Sequence, residues 1–345
     1  MNPLLAKLKK TSTIEESDIL SESEFFMDRE YVHIGIPMLD VALSGDIDGG
    51  FYPGITMWAG PSKHFKTLFS LIMAKTYMDK FPDAVMLFYD SEFGTPISYF
   101  AALNIDTSRV LHSPLLNLEN LKFDIIAQLE AIDKKDKVII VIDSVGNIAS
   151  KKEVEDAKEQ KSVADMSRAK QLKSLFRMVT PYLVLKDIPC VVVNHVYSEQ
   201  GLFPKTIVSG GTGSMYSSDS VFVLGRQQEK QGQELLGYNF VINVEKSRRV
   251  KEKSKIPISV MFDGGLSKYS GLLDVALEGN FVVKPSNGWY SRVDPETGEI
   301  EDKKFREKDT NNAEFWSPLL TSDKFKAYIR ETFQVSHGEL IKEEG

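Results

Sequence analysis

The amino-acid sequence predicts an α/β fold in which a mostly parallel, twisted sheet is flanked by helices on both sides. Short apolar runs rich in β-branched residues recur along the chain, and several are continuous, as in strands covered on both faces. The runs are residues 55–59, 84–89, 138–142, 188–193, 221–224 and 240–244. Helical patterns lie between the earlier runs, and this alternation is typical of a parallel sheet. The later runs leave no room for crossover helices, which predicts an antiparallel edge.

One interval between two of these runs shows the helical period clearly. Its apolar residues are spaced three and four apart, as on one buried face of a helix: Leu118, Leu121, Ile125, Ile126, Leu129 and Ile132. The chain has 345 residues, of which 42% are hydrophobic and 26% are charged. Length and composition therefore favour one large globular core with small appendages.

The first thirty residues differ from this core. They are charged and broken into short apolar patches, and Thr13 with Glu16 has the spacing of a helix capping box. Three leucines could share one face of a short helix: Leu4, Leu5 and Leu8. Such an arm cannot bury a core of its own, so we expect it to be disordered or to dock on another surface.

The pattern changes again beyond about residue 266. The sequence Gly-Trp-Tyr occupies residues 288–290, and a polar, hairpin-like stretch follows at 294–301. We therefore predict three parts, which are an N-terminal arm over residues 1–30, a core over 31–265 and a small C-terminal α/β domain over 266–345.

Composition restricts the classes of function and compartment. The net charge is −7, from 42 basic and 49 acidic residues, so any contact with nucleic acid must be made by local Lys and Arg side chains. The single cysteine, Cys190, lies in an apolar run, cannot form an internal disulfide, and is expected to be a small buried hydrophobic residue. We see no signal-peptide pattern and no apolar run of membrane-spanning length, so we expect a cytoplasmic protein.

A phosphate-binding loop follows the run at 55–59 and precedes a helical pattern at 68–80. Its residues are Gly60, Pro61, Ser62, Lys63, His64, Phe65, Lys66 and Thr67. In such loops the backbone N–H groups and the helix N-terminus face the phosphates. Lys66 would reach the β- and γ-phosphates, and the Thr67 hydroxyl would bind magnesium. The loop therefore predicts a bound nucleoside triphosphate, ATP with Mg²⁺.

Phe65 departs from the usual phosphate-loop pattern. It stands where a second glycine normally permits a tight turn or a close approach of the backbone. We therefore expect Phe65 to adopt an ordinary negative φ and to turn its ring away from the phosphates.

Carboxylates follow two of the predicted core strands. The run at 138–142 ends in Asp143 and Ser144, and Asp143 is expected to hold Mg²⁺ through water, as acids at this position do in phosphoryl-transfer sites. Asp90 and Glu92 follow another strand at a spacing of two residues. Either could be the general base for hydrolysis, although a solvated pair at a strand end would have the same spacing.

Two polar intervals follow core strands directly. Residues 151–161 are almost entirely charged, and residues 197–218 are rich in Gly, Ser and Thr. Because ligands of open α/β sheets bind beyond the carboxyl ends of the strands, both intervals are predicted to be loops on the functional side. For the first interval, a plain solvated loop is an equal alternative.

A basic cluster follows the last predicted strand. If that strand continues, Lys246 and Arg248 point to one face. Basic residues of the other face are Arg249, Lys251, Lys253 and Lys255. A solvated basic edge would explain the same pattern.

These motifs together resemble the RecA-type DNA strand-exchange recombinases, most closely their branch in T-even bacteriophages. The resemblance covers nearly the whole chain. The segments that carry it are IPMLDVALSG at 36–45, GPSKHFKT at 60–67, FYDSEFG at 88–94, IDSVGNIASKKE at 142–153, VVNH at 192–195, GGTG at 210–213, NVEKSR at 243–248 and NGWY at 287–290. Members of this branch also lack the second glycine of the phosphate loop. The resemblance implies a RecA-like P-loop ATPase core.

The resemblance also implies roles in ATP hydrolysis. Glu92 matches the glutamate that activates the attacking water, and Tyr99 matches a tyrosine that stacks on adenine. His195 stands where bacterial relatives have a glutamine that senses the γ-phosphate, and without the family it reads as a strand-end histidine. Lys246 and Arg248 match residues that reach the ATP of the neighbouring subunit. The N-terminal arm would dock on an adjacent protomer and serve polymerisation.

The resemblance implies that the first DNA-binding loop falls within residues 151–161, with Arg168 on the helix beyond, and that the second spans residues 197–213. Phosphate contacts are expected from cationic side chains, and a base contact from one aromatic ring. The expected DNA-binding residues are Lys158, Lys161, Arg168, Phe203, Lys205, Gly210, Gly211, Thr212 and Gly213.

The resemblance implies a DNA-dependent ATPase that forms helical filaments on single-stranded DNA. Such a filament would catalyse pairing and strand exchange with homologous duplex in recombination, repair and recombination-dependent replication. Further partners would be a recombination mediator and a single-stranded-DNA-binding protein. Two alternatives are a non-catalytic, ATP-gated scaffold that coats DNA and a hexameric helicase of the same fold.

Overall fold

The computed structural model describes residues 2–23, 30–160, 167–199, 206–231, 234–261 and 265–335. The chain divides into two compact units, Met1–Tyr31 and the remainder from Val32. The first unit contains helix α1, Pro3–Thr11, which begins after Asn2, whose side chain accepts a hydrogen bond from the Leu4 N–H. The predicted leucine helix is therefore confirmed.

The capping-box prediction at Thr13 is wrong. Residues 12–23 form turns, in which the Ser12 hydroxyl accepts a hydrogen bond from the Ile14 N–H and lies 2.7 Å from the Ser17 hydroxyl. The residues after Thr13 are mostly acidic or hydroxylated. A helix formed by them would have no apolar face to bury by packing.

The second unit begins with a strand–helix alternation. Its first elements are α2 Pro37–Ser44, β1 Gly54–Ala59, α3 Lys66–Lys80, β2 Val85–Asp90, α4 Ile97–Ala102, β3 Val110–Pro114, α5 Leu118–Ala131, β4 Val138–Asp143, α6 Lys151–Lys158, α7 Ser167–Leu185 and β5 Pro189–Asn194. The following elements are β6 Val196–Ser198, β7 Thr206–Val208, α8 Thr212–Ser217, β8 Ser220–Gln231, β9 Glu234–Ser247, β10 Lys255–Met261 and β11 Gly265–Leu266. The chain ends in α9 Leu272–Glu278, β12 Val282–Ser286, β13 Trp289–Arg292, β14 Phe305–Arg306, α10 Ala313–Thr321 and α11 Asp323–Phe333.

A nine-stranded sheet organises the second unit. Its strand order is β11-β10-β9-β8-β1-β5-β4-β2-β3. The strands from β8 to β3 are parallel to their neighbours, whereas β9, β10 and β11 pair antiparallel. Each predicted apolar run lies in a strand of this sheet, and the antiparallel edge is confirmed.

The continuous apolar runs form the centre of the sheet because side chains on both faces are covered. All residues of β1, β4 and β5 are buried. On one face Trp58 packs 4.7 Å from Phe222 and 5.2 Å from Phe69, measured between ring centroids. On the other face the alternate residues of β1 pack among the buried side chains of α5 and α7. Cys190 is buried in this second layer, as expected.

The C-terminal elements form a separate three-stranded sheet, β12-β13-β14, with α9, α10 and α11. Its buried residues, including Phe315 and Phe325, belong to the same hydrophobic cluster as Met38 and Phe240 of the central part. The division at residue 266 stays a prediction.

Two of the predicted loops contain regular structure. Residues 151–158 form α6, which begins where the Ser150 side chain accepts a hydrogen bond from the Glu153 N–H. Glu and Lys favour helices at exposed positions, so a charged sequence and a helix are compatible. Within 197–218, β6 and β7 form an antiparallel hairpin and α8 follows. No helix among the described residues is both long and apolar enough to cross a membrane.

Candidate nucleotide site

The phosphate loop lies at the carboxyl end of β1, where α3 begins at Lys66. A cavity of about 410 Å³ opens beside it. It is lined by loop residues 62–68 and by Glu92, Gly94, Thr95, Tyr99, Arg226 and Tyr238. Lys66 is buried, and its ammonium group donates a hydrogen bond to the Pro61 carbonyl at 2.9 Å. A buried lysine at the N-terminus of α3 is a setting that favours an anion.

The expectation of an ordinary φ at Phe65 is wrong. Its φ is 55° and its ψ is 23°, which is the left-handed conformation that a glycine would adopt without strain. The ring packs edge-on against Phe240 of β9, with 5.6 Å between the centroids. Phe65 thus takes a conformation that favours glycine, and its ring contacts Phe240.

Thr67 and Asp143 form the expected pair for a metal ion. The Thr67 hydroxyl donates to Asp143 Oδ2 at 2.6 Å, and Asp143 is 1% exposed. Asp143 Oδ1 is buried and has no hydrogen-bond partner among the described residues. Burial raises the pKa of Asp143 to about 6. A buried carboxylate oxygen without a donor, beside a hydroxyl at the phosphate loop, fits Mg²⁺, which prefers such oxygen ligands.

Glu92 and Asp90 play different parts in the structure. Asp90 Oδ1 accepts hydrogen bonds from the N–H groups of Glu92 and Phe93, so Asp90 fixes the turn. Glu92 lines the cavity, and its Oε1 accepts hydrogen bonds from Ser144 Oγ at 2.7 Å and His195 Nε2 at 2.6 Å. These bonds, the one from His195 first, lower the pKa of Glu92 to about 2. Of the two carboxylates, Glu92 lines the cavity and Asp90 does not, and the assignment of the general base stays a prediction.

The cavity has a wall that the sequence did not predict. Arg226 and Tyr238 belong to β8 and β9, which continue well beyond the apolar runs at 221–224 and 240–244. The sequence predicts strands only over the apolar runs, because the continuation is polar. Tyr99, predicted from the resemblance, also lines the cavity and is 42% exposed, so its ring is available to a ligand.

Lys246 and Arg248 have partners within their own chain. The Lys246 ammonium donates to the carbonyls of Met215, Tyr216 and Ser218 at the end of α8, at 3.0, 2.8 and 2.6 Å. Arg248 Nε lies 3.0 Å from Asp219 Oδ1, and its side chain is 70% exposed. Neither residue lines the cavity. Their contact with the ATP of a neighbour stays a prediction.

The expected DNA-binding residues are spread over several elements. Lys158 is exposed at the end of α6. Arg168 of α7 donates hydrogen bonds to the carbonyls of Val145, Gly146 and Ile148, so in this structure it anchors the segment after β4. Lys161, Phe203 and Lys205 lie outside the described residues.

The glycines before α8 have local structural causes. Gly210 and Gly211 have φ values of 86° and 76°, which favour glycine. Thr212 and Gly213 begin α8, and a Cβ at Gly213 would lie 2.7 Å from Lys173 Cβ, so α8 packs closely on α7. Their DNA contacts remain predictions.

Comparison with known proteins places this geometry in a family. Residues 16–267 match the model of the RecA N-terminal domain. The chain belongs to the RecA family. Residues 269–329 match the C-terminal domain of the bacteriophage T4 recombination and repair protein, the UvsX recombinase.

Two relatives by sequence agree with this family. The chain is 51% identical to the recombination and repair protein of Enterobacteria phage T4, over 100% of this chain and 90% of that protein. It is 28% identical to protein RecA of Bacteroides thetaiotaomicron, over 77% of this chain and 80% of that protein. The crystal structure of the RadB recombinase aligns with a TM-score of 0.49 at 18% identity, over 67% of this chain and 96% of that one.

Proposed function

We propose that this chain uses ATP to form helical filaments on single-stranded DNA and to exchange that strand with a homologous duplex, in recombination and repair. Membership of the RecA family supports the proposal, as does the name of the phage T4 relative, recombination and repair protein. Its partners would be single-stranded and homologous duplex DNA, further copies of the chain, a recombination mediator and a single-stranded-DNA-binding protein.

ATP hydrolysis would take place in the cavity beside the phosphate loop. Lys66 would neutralise charge on the β- and γ-phosphates once they displace the Pro61 carbonyl from its ammonium group. Thr67 and Asp143 would hold Mg²⁺, which neutralises further phosphate charge when bound. Glu92 remains ionised at neutral pH because its pKa is about 2. A carboxylate of so low a pKa is a weak base, so Glu92 would mainly orient and polarise the attacking water.

The proposed dependence of ATP hydrolysis on DNA rests on one observation. A single oxygen atom, Glu92 Oε1, accepts hydrogen bonds from both Ser144 and His195. Ser144 adjoins Asp143 at the proposed metal site. His195 immediately precedes β6, and the hairpin of β6 and β7 leads into the segment expected to bind DNA. A shift of this hairpin on DNA would therefore change a hydrogen bond of the residue that orients water.

Completion of the site by a neighbour remains part of the proposal. Lys246 and Arg248 lie outside the cavity of their own chain, and the exposed Arg248 is available to a second subunit. In such an arrangement two further cations reach the γ-phosphate only when two subunits associate, so bound ATP would favour the filament. The exposed leucines of α1 would dock the arm on an adjacent protomer.

The test measures phosphate release with and without single-stranded DNA. We expect stimulation by DNA, and a loss of about a hundredfold or more in Lys66→Ala and Glu92→Gln, the size typical for removal of a principal transition-state contact. Glu278→Gln, on an exposed position of α9, is the matched control and should retain wild-type turnover. Absence of DNA stimulation, or full activity in Glu92→Gln, would contradict the proposal.

The same preparations distinguish the alternatives. We expect strand exchange between a labelled single strand and homologous duplex, and helical filaments by negative-stain microscopy. Filaments without phosphate release would indicate a scaffold, whereas closed rings that unwind a forked duplex would indicate a helicase.

A further inference from the structure

The phosphate loop contains two non-glycine residues in the left-handed conformation. Lys63 has a φ of 60° and Phe65 a φ of 55°. Residues with a Cβ adopt this region at an energetic cost, and they do so where surrounding contacts determine the backbone. Contacts from outside the loop therefore help to hold its backbone in this conformation.

Arg226 makes one of these contacts. Its Nη1 donates a hydrogen bond to the Lys63 carbonyl at 2.9 Å, across 163 positions of sequence. The guanidinium is exposed, yet it lies 4.3 Å from the centroid of the Tyr238 ring, which orients it. Arg226 therefore ties the long β8–β9 pair to the peptide between Lys63 and His64.

Phe240 makes the second contact, from the same side. It pairs with Arg226 in the register of β8 and β9, and it is 1% exposed. Its ring meets Phe65 edge-on at 5.6 Å and His64 at 6.2 Å. The ends of the segment 63–65 are thus held by a polar contact at Lys63 and an aromatic contact at Phe65.

We propose that Arg226 is a positioning residue of the nucleotide site. It holds the backbone of residues 63–65 in the conformation that a second glycine would otherwise allow, so that the loop amides face the phosphates. The inference rests on the proposed function, since its ligand is the triphosphate of ATP. It assigns the polar parts of β8 and β9 to nucleotide binding, in addition to their place in the sheet.

The test is equilibrium binding of a fluorescent, non-hydrolysable ATP analogue with Mg²⁺, to the full chain without DNA. Loss of one hydrogen bond predicts about fivefold weaker binding in Arg226→Gln. Arg226→Lys keeps a donor and the charge and should recover part of the loss. Arg177→Gln, on an exposed position of α7, removes the same charge elsewhere and should bind as the wild type.

A second background separates positioning from direct contact with phosphate. In Lys63→Gly the residue whose carbonyl accepts the Arg226 hydrogen bond adopts the left-handed region without strain, and the contact of Phe65 with Phe240 is kept, so the loop needs less support from Arg226. There the effect of Arg226→Gln should shrink to less than about twofold, a coupling typical of residues that act on one element. An undiminished loss in that background, or no loss in either, would overturn the inference. If the wild type bound no nucleotide, the proposed function itself would fail and this inference with it.

Discussion

Replacing Lys246 by methionine is predicted to destabilise the nucleotide-free, DNA-free protein. The Lys246 ammonium donates to three carbonyls at the end of α8, the residues Met215, Tyr216 and Ser218. The last carbonyls of a helix have no partners within it, and a cation there also interacts favourably with the helix dipole. Methionine keeps the length of the side chain but donates nothing.

The expected loss follows from these contacts. A hydrogen bond from a charged group contributes about 1.5–3 kcal/mol net when buried, and a cation at an exposed helix end about 0.3–1 kcal/mol. Lys246 is only partly buried and water can reach part of the helix end, so we expect a loss of about 1–2 kcal/mol in the free energy of unfolding. Burial also lowers the pKa of Lys246, because it disfavours the charged ammonium group.

The assay is equilibrium unfolding in urea at one low protein concentration, because self-association would add stability of its own. Lys255→Met is the matched control, since Lys255 is an exposed lysine of the adjacent strand β10 and pairs with Asn243 of β9. It should change the unfolding midpoint little. If Lys246→Met unfolds at the wild-type midpoint yet loses ATP turnover, the contact with α8 does not matter and Lys246 acts only on nucleotide.

Three further predictions concern the cavity and its surroundings. The pKa of Glu92 is about 2, below the ordinary 4.5, so its contribution to stability is present above pH 4.5 and is lost as the pH falls toward 2. Discounted for partial exposure, wild type should lose about 1–2 kcal/mol more than Glu92→Gln over that interval in acid titrations of unfolding; equal losses would contradict the assigned bonds. Tyr99→Ala should bind ATP about tenfold more weakly and bind tripolyphosphate unchanged, by calorimetric titration, and equal weakening of both would exclude adenine stacking. Phe240→Ala should lower the free energy of unfolding by about 3–5 kcal/mol, and a loss below 1 kcal/mol would contradict its packing against Phe65 and Phe69.

The nucleotide site shows what spacing along the chain can establish. The loop at 60–67, the strand that ends in Asp143 and the order of the two are local features, and each was predicted with the right neighbours. The apolar runs likewise identified the strands of the sheet, because a strand covered on both faces leaves few positions for polar residues.

Local features failed where distant residues decide the outcome. The sequence predicts a negative φ at Phe65, but the observed φ is 55°. The ring of Phe65 contacts Phe240, which lies far along the chain. Polar sequence hid the length of β8 and β9, since β8 beyond residue 224 pairs with β9 but not with β1, and its residues 226–228 are exposed and need no apolar run. The charged segment 151–158 was predicted to be a loop because its helix buries no residue and so has no apolar stripe, although its cap and its helix-forming residues are present.

The sequence by itself determined the loop at 60–67, the strand that ends in Asp143 and the sheet that contains them, because these depend on residue type and spacing. The tertiary structure decided that Glu92 rather than Asp90 reaches the cavity, that Lys246 binds the end of α8, and that Arg226 supports the loop. Each of these depends on atoms brought together across long stretches of chain, and a linear pattern does not encode which side chains meet when the sheet closes.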